Sequence, residues 1–149
     1  MEYLIDILKS EHRLIVKLLN KLRTEGLTSS DAVQELIDAR NLLLQHLKKE
    51  DEILYQVLFE GSQLDKTLGL QLKRFDKEMG KVTQKVFTYF TNYSEGKNAG
   101  NFARDTKAIY EMLKTRIVNE ETILFPEYER LCSANHKKPG ANEKQKITG

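Results

Sequence analysis

Residues 31–59 read DAVQELIDARNLLLQHLKKEDEILYQVLF, without a proline or a glycine. Apolar residues recur in this stretch every three or four positions, which places them on one face of a helix with 3.6 residues per turn. They are Val33, Leu36, Ile37, Leu43, Leu44, Leu47, Leu54 and Leu58. Because such a helix must bury its apolar face against other elements, the stretch predicts a core made of packed helices.

The same spacing recurs in three other parts of the chain. The first proline is Pro126, and glycines are sparse, so long helices are favoured over many short strands. The apolar stripes predict four helices, over roughly residues 2–24, 31–59, 64–93 and 102–131. Four helices of this length with short connections are typical of an up-down-up-down antiparallel four-helix bundle, so the predicted fold class is all-α.

The 149 residues are enough for one domain with a substantial core. We assign residues 1–131 to the bundle. Residues 132–149 are polar, basic and without helical periodicity, which predicts a flexible C-terminal tail. His136 lies in that tail, so only His12 and His46 are left for a histidine site inside the bundle.

Composition excludes several classes of protein. With 40% apolar and 31% charged residues, the chain is globular rather than disordered. A net charge of +2, from 24 basic and 22 acidic residues, favours neither a nucleic-acid partner nor an anionic membrane. No apolar run is long enough to span a bilayer. A single cysteine and an acidic N-terminal segment argue against secretion, so we expect a cytoplasmic protein.

Five polar residues fall on or beside the apolar stripes, where a bundle would bury them. They are His12, His46, Glu50, Arg116 and Glu120. A carboxylate buried alone would cost several kcal/mol or take up a proton, so the two glutamates should have partners. Two imidazoles and two carboxylates are also ordinary metal ligands.

Each of these residues has a simpler interpretation as well. His12 is compatible with a partly exposed histidine at the edge of a helix face, and His46 with a local pair to Glu50. Arg116 and Glu120 are compatible with an inward salt bridge. The remaining acidic residues, Glu121 among them, we interpret as a solvated helix face.

The second and fourth helices repeat one pattern. Its two copies are Gln45-His46-Leu47-Lys48-Lys49-Glu50-Asp51-Glu52-Ile53-Leu54-Tyr55 and Thr115-Arg116-Ile117-Val118-Asn119-Glu120-Glu121-Thr122-Ile123-Leu124-Phe125-Pro126. When the copies are superposed, Arg116 takes the place of His46, and Glu120 takes the place of Glu50. A leucine and an aromatic residue follow in both.

With these motifs the sequence resembles the hemerythrin-like, or HHE cation-binding, family. The residues that carry the resemblance are Glu11-His12, His46-x-x-x-Glu50-x-x-x-Leu54-Tyr55 and Glu120-Glu121-x-x-Leu124-Phe125-Pro126, and it covers roughly residues 1–131. The resemblance implies a four-helix bundle with a non-haem di-iron centre whose carboxylates bridge the two ions. It also implies a role in dioxygen carriage, in sensing oxygen, nitric oxide or iron, or in iron–sulfur cluster repair.

The resemblance assigns only half of such a centre to this chain. It implies that His12 and His46 bind one iron and that Glu50 and Glu120 are the bridging carboxylates. A second iron should take histidines from the third and fourth helices, and this sequence has neither. Arg116 stands at the matching place on the fourth helix, and Asp76 is the nearest counterpart on the third.

Arg116 offers a physical explanation for the absence of the second iron's histidines. Carboxylates that face each other repel unless positive charge lies near them, and a guanidinium is permanently charged and can bind carboxylates with two N–H groups. Two states of the site therefore stay open. Either one metal ion remains on the two histidines and two glutamates, or no metal remains and Arg116 holds both glutamates. The ligand set suits iron, zinc or manganese.

Three functional hypotheses follow. The first is a hemerythrin-like metal-binding protein with a depleted or mononuclear site for non-haem iron, one ion being favoured over two, that binds or senses dioxygen, nitric oxide or iron or acts in a stress response. The second is a metal-free bundle that serves as a structural module or binds a protein partner or a second copy of itself. An enzyme of the di-iron oxygenase type is least favoured, because the sequence has no Glu-x-x-His pair and lacks the second iron's ligands.

Overall fold

The computed structural model describes residues 2–27, 30–95 and 101–137. Its α-helices, in chain order, are α1 (Glu2–Glu25), α2 (Ala32–Lys49), α3 (Tyr55–Gly61), α4 (Lys66–Ser94), α5 (Phe102–Asn119) and α6 (Phe125–Lys137). Two π-helical segments, Glu50–Leu54 and Glu120–Leu124, join α2 to α3 and α5 to α6, and a short 3₁₀ turn at Ser62–Leu64 follows α3. The chain thus forms four bundle helices: α1, α2 with α3, α4, and α5 with α6.

The four bundle helices pack in a closed ring around one core. The first helix contacts α2 and α5, and α4 contacts the same two helices from the other side. The described ranges contain no β-strand, so the predicted all-α four-helix bundle is confirmed. No helix within these ranges is long and apolar enough to cross a membrane.

The core consists of two apolar clusters with a polar layer between them. On α1, for example, Ile5 and Leu8 belong to one cluster, Ile15 and Leu19 belong to the other, and His12 lies between them. The buried residues of the layer are His12, His46, Glu50, Arg116 and Glu120. Apolar clusters lie on both sides of this layer, and such low-dielectric surroundings strengthen every electrostatic contact within it.

Each π-helical segment begins at a glutamate of the polar layer. The backbone N–H of Tyr55 donates to the carbonyl of Glu50, and that of Phe125 donates to the carbonyl of Glu120. These bonds span five residues instead of four, so each turn holds one extra residue. Proline is not the cause, because residues 50–54 are π-helical without one. The wider turn allows two consecutive residues, such as Leu54 and Tyr55, to be buried together.

The two ends of the bundle show how its helices terminate. The first helix stops at Gly26, whose φ of 70° suits a residue without a side chain, and the Gly26 N–H donates to the carbonyl of Leu22. The last helix continues to Lys137, beyond the end near residue 131 that periodicity predicted. Residues 138–149 of the predicted tail lie outside the described residues, so the division into bundle and tail stays a prediction.

Candidate metal centre

Four candidate metal ligands meet in the polar layer from three different bundle helices. Donor atoms of His12, His46, Glu50 and Glu120 all lie within 4.8 Å of one another. Each of these residues is at least 98% buried. The reading of His12 as a partly exposed flank residue is therefore wrong, and the pair of His46 with Glu50 is part of a larger cluster that crosses between helices.

The Nδ1 atom of each histidine is held by a carboxylate outside the four-residue cluster. His12 Nδ1 lies 2.7 Å from Glu121 Oε2, and His46 Nδ1 lies 2.9 Å from Glu11 Oε1. Since ionised carboxylates only accept, both Nδ1 atoms donate, and both Nε2 atoms point to the centre. Lys49 pairs in turn with Glu11. Such carboxylate–histidine pairs fix the tautomer and ring orientation of metal-ligating histidines.

Glu50 lies between the two imidazoles. Its Oε2 is 3.0 Å from His46 Nε2 and 3.7 Å from His12 Nε2, so charge attraction is strong. Neither approach is aligned as a hydrogen bond, and both carboxylate oxygens are buried without a hydrogen-bond partner among the described residues. A buried carboxylate without a hydrogen-bond partner is costly unless another group binds its oxygens, and a metal ion would bind them.

Glu120 is shared between a histidine and the arginine. Its Oε1 lies 3.0 Å from His12 Nε2, and its Oε2 accepts from Arg116 Nε at 3.1 Å. Arg116 also donates to the carbonyl of Phe75 at 3.3 Å and to the Tyr55 hydroxyl. Among the described residues Arg116 thus binds one glutamate of the cluster, so the expectation that it holds both Glu50 and Glu120 is wrong.

The aromatic residues at matching places in the two copies of the sequence pattern make different contacts. Phe125 stacks on the ring of His12, with centroids 5.5 Å apart and planes 8° apart. Tyr55, at the matching place, accepts a hydrogen bond from Arg116 instead. The arginine half of the layer therefore has its own acceptor for the guanidinium, which a phenylalanine at position 55 would not supply.

The charges of the layer are strongly coupled. Burial alone would lower the pKa of His12, but the surrounding carboxylates raise it to about 10, and the pKa of His46 is raised by the same balance. Burial and the charge of Glu50 raise the pKa of Glu120 to about 7. Burial would raise the pKa of Glu50 too, yet the two histidines lower it. A metal ion would therefore have to displace protons from the imidazoles.

The third bundle helix contributes no ligand to this group. Asp76 is exposed, and the structure does not bring it into the four-residue cluster. The helix instead faces the layer with Met79, Val82 and Val86, which line a small cavity beside the cluster. The spacing of Leu72, Phe75, Met79 and Val82 matches that of Ile5, Leu8, His12 and Ile15, so Met79, rather than Asp76, is the counterpart of His12.

Sequence reasoning missed Glu11 and Glu121. Glu121 had been assigned to a solvated face, yet it binds His12 and its side chain is only 33% exposed. The Glu11-His12 motif gives Glu11 no role of its own, yet Glu11 binds His46. The available signal was adjacency, because Glu11 precedes His12 and Glu121 follows Glu120 in the chain.

The residues present fit a metal ion. Two Nε2 atoms and the oxygens of two glutamates converge, the Glu50 carboxylate has no hydrogen-bond partner among the described residues, and the nitrogen–oxygen set suits iron, zinc or manganese. Arg116 and Met79 line the small cavity beside the cluster and are not among its four candidate ligands.

Comparison with known proteins agrees with this centre. Curated proteins and solved structures give no significant match to the chain. The sequence profile of the hemerythrin HHE cation-binding domain matches residues 3–128, which is most of the chain. The chain therefore belongs to the hemerythrin HHE cation-binding domain family.

Proposed function

We propose that this protein binds a single non-haem iron ion through His12, His46, Glu50 and Glu120. The observation that carries the proposal is the buried Glu50 carboxylate, which has no hydrogen-bond partner among the described residues and faces two imidazoles. Because Glu11 and Glu121 hold both Nδ1 atoms, the Nε2 atoms are already oriented for coordination. The family supports a cation, and within it iron is our choice.

Arg116 is proposed to take the place of a second ion. Glu120 contacts His12 with one oxygen and Arg116 with the other, which is how a bridging carboxylate would be shared between two positive centres. The guanidinium is always protonated, so the charge next to Glu120 is independent of metal supply. Its hydrogen bonds to the Phe75 carbonyl and the Tyr55 hydroxyl fix its position.

The proposed role is binding or sensing of dioxygen, nitric oxide or iron itself, or a stress response, in the cytoplasm. A bound iron would supply a redox-active Lewis acid that can take a diatomic ligand. The protein's own residues do the rest. The apolar clusters on either side exclude water, the outer carboxylates orient the imidazoles, and Arg116 keeps a positive charge beside Glu120.

Metal analysis of loaded protein tests this proposal. The chain is loaded anaerobically with ferrous ion, passed over a desalting column and analysed for iron. We expect about one ion per chain in the parent, little in His46→Ala, and an unchanged content in His136→Ala as the matched histidine control. Metal content of zero in the loaded parent would contradict the proposal.

The second candidate is a metal-free bundle that binds a protein partner or a second copy of itself. Its specific support is the charge balance of the layer, since carboxylates that raise the pKa of both histidines let protons supply the positive charge. The same metal analysis separates the two candidates, because this one requires a folded parent that takes up no iron, zinc or manganese.

A further inference from the structure

A small cavity lies beside the candidate metal centre. Its volume is about 20 Å³, room for about one water molecule. Its lining includes the cluster, with the Glu50 carboxylate that has no hydrogen-bond partner among the described residues, and apolar side chains such as Leu47 and Met79. An ion that reaches the buried cluster from this side has to pass between these apolar side chains.

A surface groove lies on the outer side of the same apolar side chains. The groove, which we call the α2–α4 groove, has a volume of about 440 Å³, and Leu47, Asp51, Tyr55, Asp76 and Met79 are among its lining residues. Leu47 and Met79 line both the groove and the buried cavity. Both are only partly buried, so a layer one side chain thick separates solvent from the cluster.

Two other surface grooves do not adjoin the cavity in this way. One lies between α4 and α5 and includes Lys81 and Met112, and the other includes Tyr3 and Glu11. Neither shares a lining residue with the buried cavity. The α2–α4 groove is therefore the better path to the cluster.

The charges of the α2–α4 groove suit a cation. It contains the carboxylates of Asp51 and Asp76 and one ammonium, Lys48, so its lining has an excess of negative charge, while the whole chain has a net charge of +2. A cleft lined mainly by one sign of charge raises the local concentration of the opposite ion. The exposed position of Asp76, which rules it out of the cluster, suits this role.

We propose that the α2–α4 groove is the access route by which the metal ion reaches the cluster, with Met79 as the side chain that moves aside. This inference rests on the proposed metal binding. Methionine has three rotatable side-chain bonds and fills irregular space, so it can open a path without movement of the helix. Asp51 and Asp76 collect the hydrated cation at the mouth, and Glu50 receives it within the cavity.

Metal-loading kinetics test the side-chain gate. The full-length metal-free chain is mixed with Co²⁺, binding is followed by the visible absorbance of the ion, and release is then followed in excess chelator. We expect Met79→Ala to accelerate binding and release by the same factor, roughly tenfold, because opening no longer limits either rate. Met112→Ala, in the α4–α5 groove, is the matched control and should leave both rates unchanged.

The dissociation constant separates a gate from a ligand. A gate changes both rates equally, so Met79→Ala should keep the parent's dissociation constant. Unchanged rates in Met79→Ala, or an equal acceleration in Met112→Ala, would overturn the role of Met79. Far-UV circular dichroism verifies that both variants fold. If Met79→Ala fails to fold, variants of the groove carboxylates still test the route.

Charge at the mouth is tested in a separate pair of variants. Asp51→Asn with Asp76→Asn should slow Co²⁺ binding about threefold to tenfold at low ionic strength, and the difference should vanish in high salt. Asp6→Asn with Asp38→Asn removes the same charge from exposed positions outside the groove and should have little effect. Equal slowing in both pairs would contradict the route.

The two proposals fail in different ways. A parent chain that takes up neither Co²⁺ nor iron contradicts the proposed metal function and the access route with it. A parent that binds Co²⁺ tightly, at rates that none of the groove variants alters, contradicts the access route alone.

Discussion

Removal of the Arg116 side chain is the sharpest perturbation of the polar layer. Arg116 is 94% buried and makes three hydrogen bonds, to Glu120, the Phe75 carbonyl and the Tyr55 hydroxyl. Arg116→Met keeps an apolar stem of similar length and removes the charge. Loss of one partner of a buried ion pair costs about 3–5 kcal/mol, because the other charge is left uncompensated.

The size of this effect should depend on pH. The pKa of Glu120 is already raised to about 7, and loss of Arg116 removes one of the charges that lower it. Below pH 7 Glu120 can therefore take up a proton, which limits the cost to the lost hydrogen bonds and packing, roughly 2 kcal/mol. Above pH 8 the folded variant must either ionise Glu120 without a partner or hold a proton against the solution, so the cost should approach about 4 kcal/mol.

Equilibrium unfolding of the metal-free chain in urea, at pH 6 and pH 8.5, measures these costs. Arg116→Lys keeps the charge without the planar fork and should recover part of the loss. Arg104→Met removes an exposed arginine that pairs with Asp105, and it should change stability by less than about 1 kcal/mol. An Arg116→Met variant as stable as the parent at pH 8.5 would refute the role of this arginine as a compensating charge.

Three further outcomes are expected. Glu11→Gln or Glu121→Gln should weaken metal binding by about 10–100-fold in a chelator competition, because each variant loses an Nδ1 partner, whereas exposed Glu111→Gln should not. The metal-free chain should lose stability between pH 7 and pH 10, by up to about 1.4 kcal/mol per pH unit. The reason is that the pKa of His12 is raised from 6.5 to about 10, so its protonation stabilises the fold fully below pH 6.5 and no longer above pH 10. Urea midpoints that rise over this range would contradict this prediction. Gly26→Ala should cost about 1 kcal/mol in thermal unfolding, since its φ is 70°, and an unchanged melting temperature would count against that strain.

The bundle could be predicted from the sequence because its signal is periodic and long. Apolar spacing that persists over stretches this long can be recognised without knowledge of neighbouring helices, and it places His12, His46 and Glu50 near the interior. Their burial follows from the helical face alone. The repeat between the second and fourth helices likewise predicted that Arg116 stands where a histidine would.

Other features of the site depend on contacts between helices, which a single sequence does not contain. A helical wheel with 100° per residue cannot represent the π-helical segments, where one extra residue per turn rotates everything that follows. It assigned Glu121 to solvent because the wheel does not show that α1 lies against that edge. The sequence offers Asp76 as the nearest counterpart on the third helix, but in the folded chain Met79 lines the same cavity as His12, and Asp76 is exposed.

The number of iron ions that each chain binds decides whether the polar layer holds a single ion. Protein loaded anaerobically with excess ferrous ion, desalted and measured by elemental analysis against quantitative amino-acid analysis should contain one ion per chain. Arg116→His, which restores an imidazole beside Glu120, should contain no less. A parent chain without iron, or one that holds two ions while Arg116 is intact, would contradict the account.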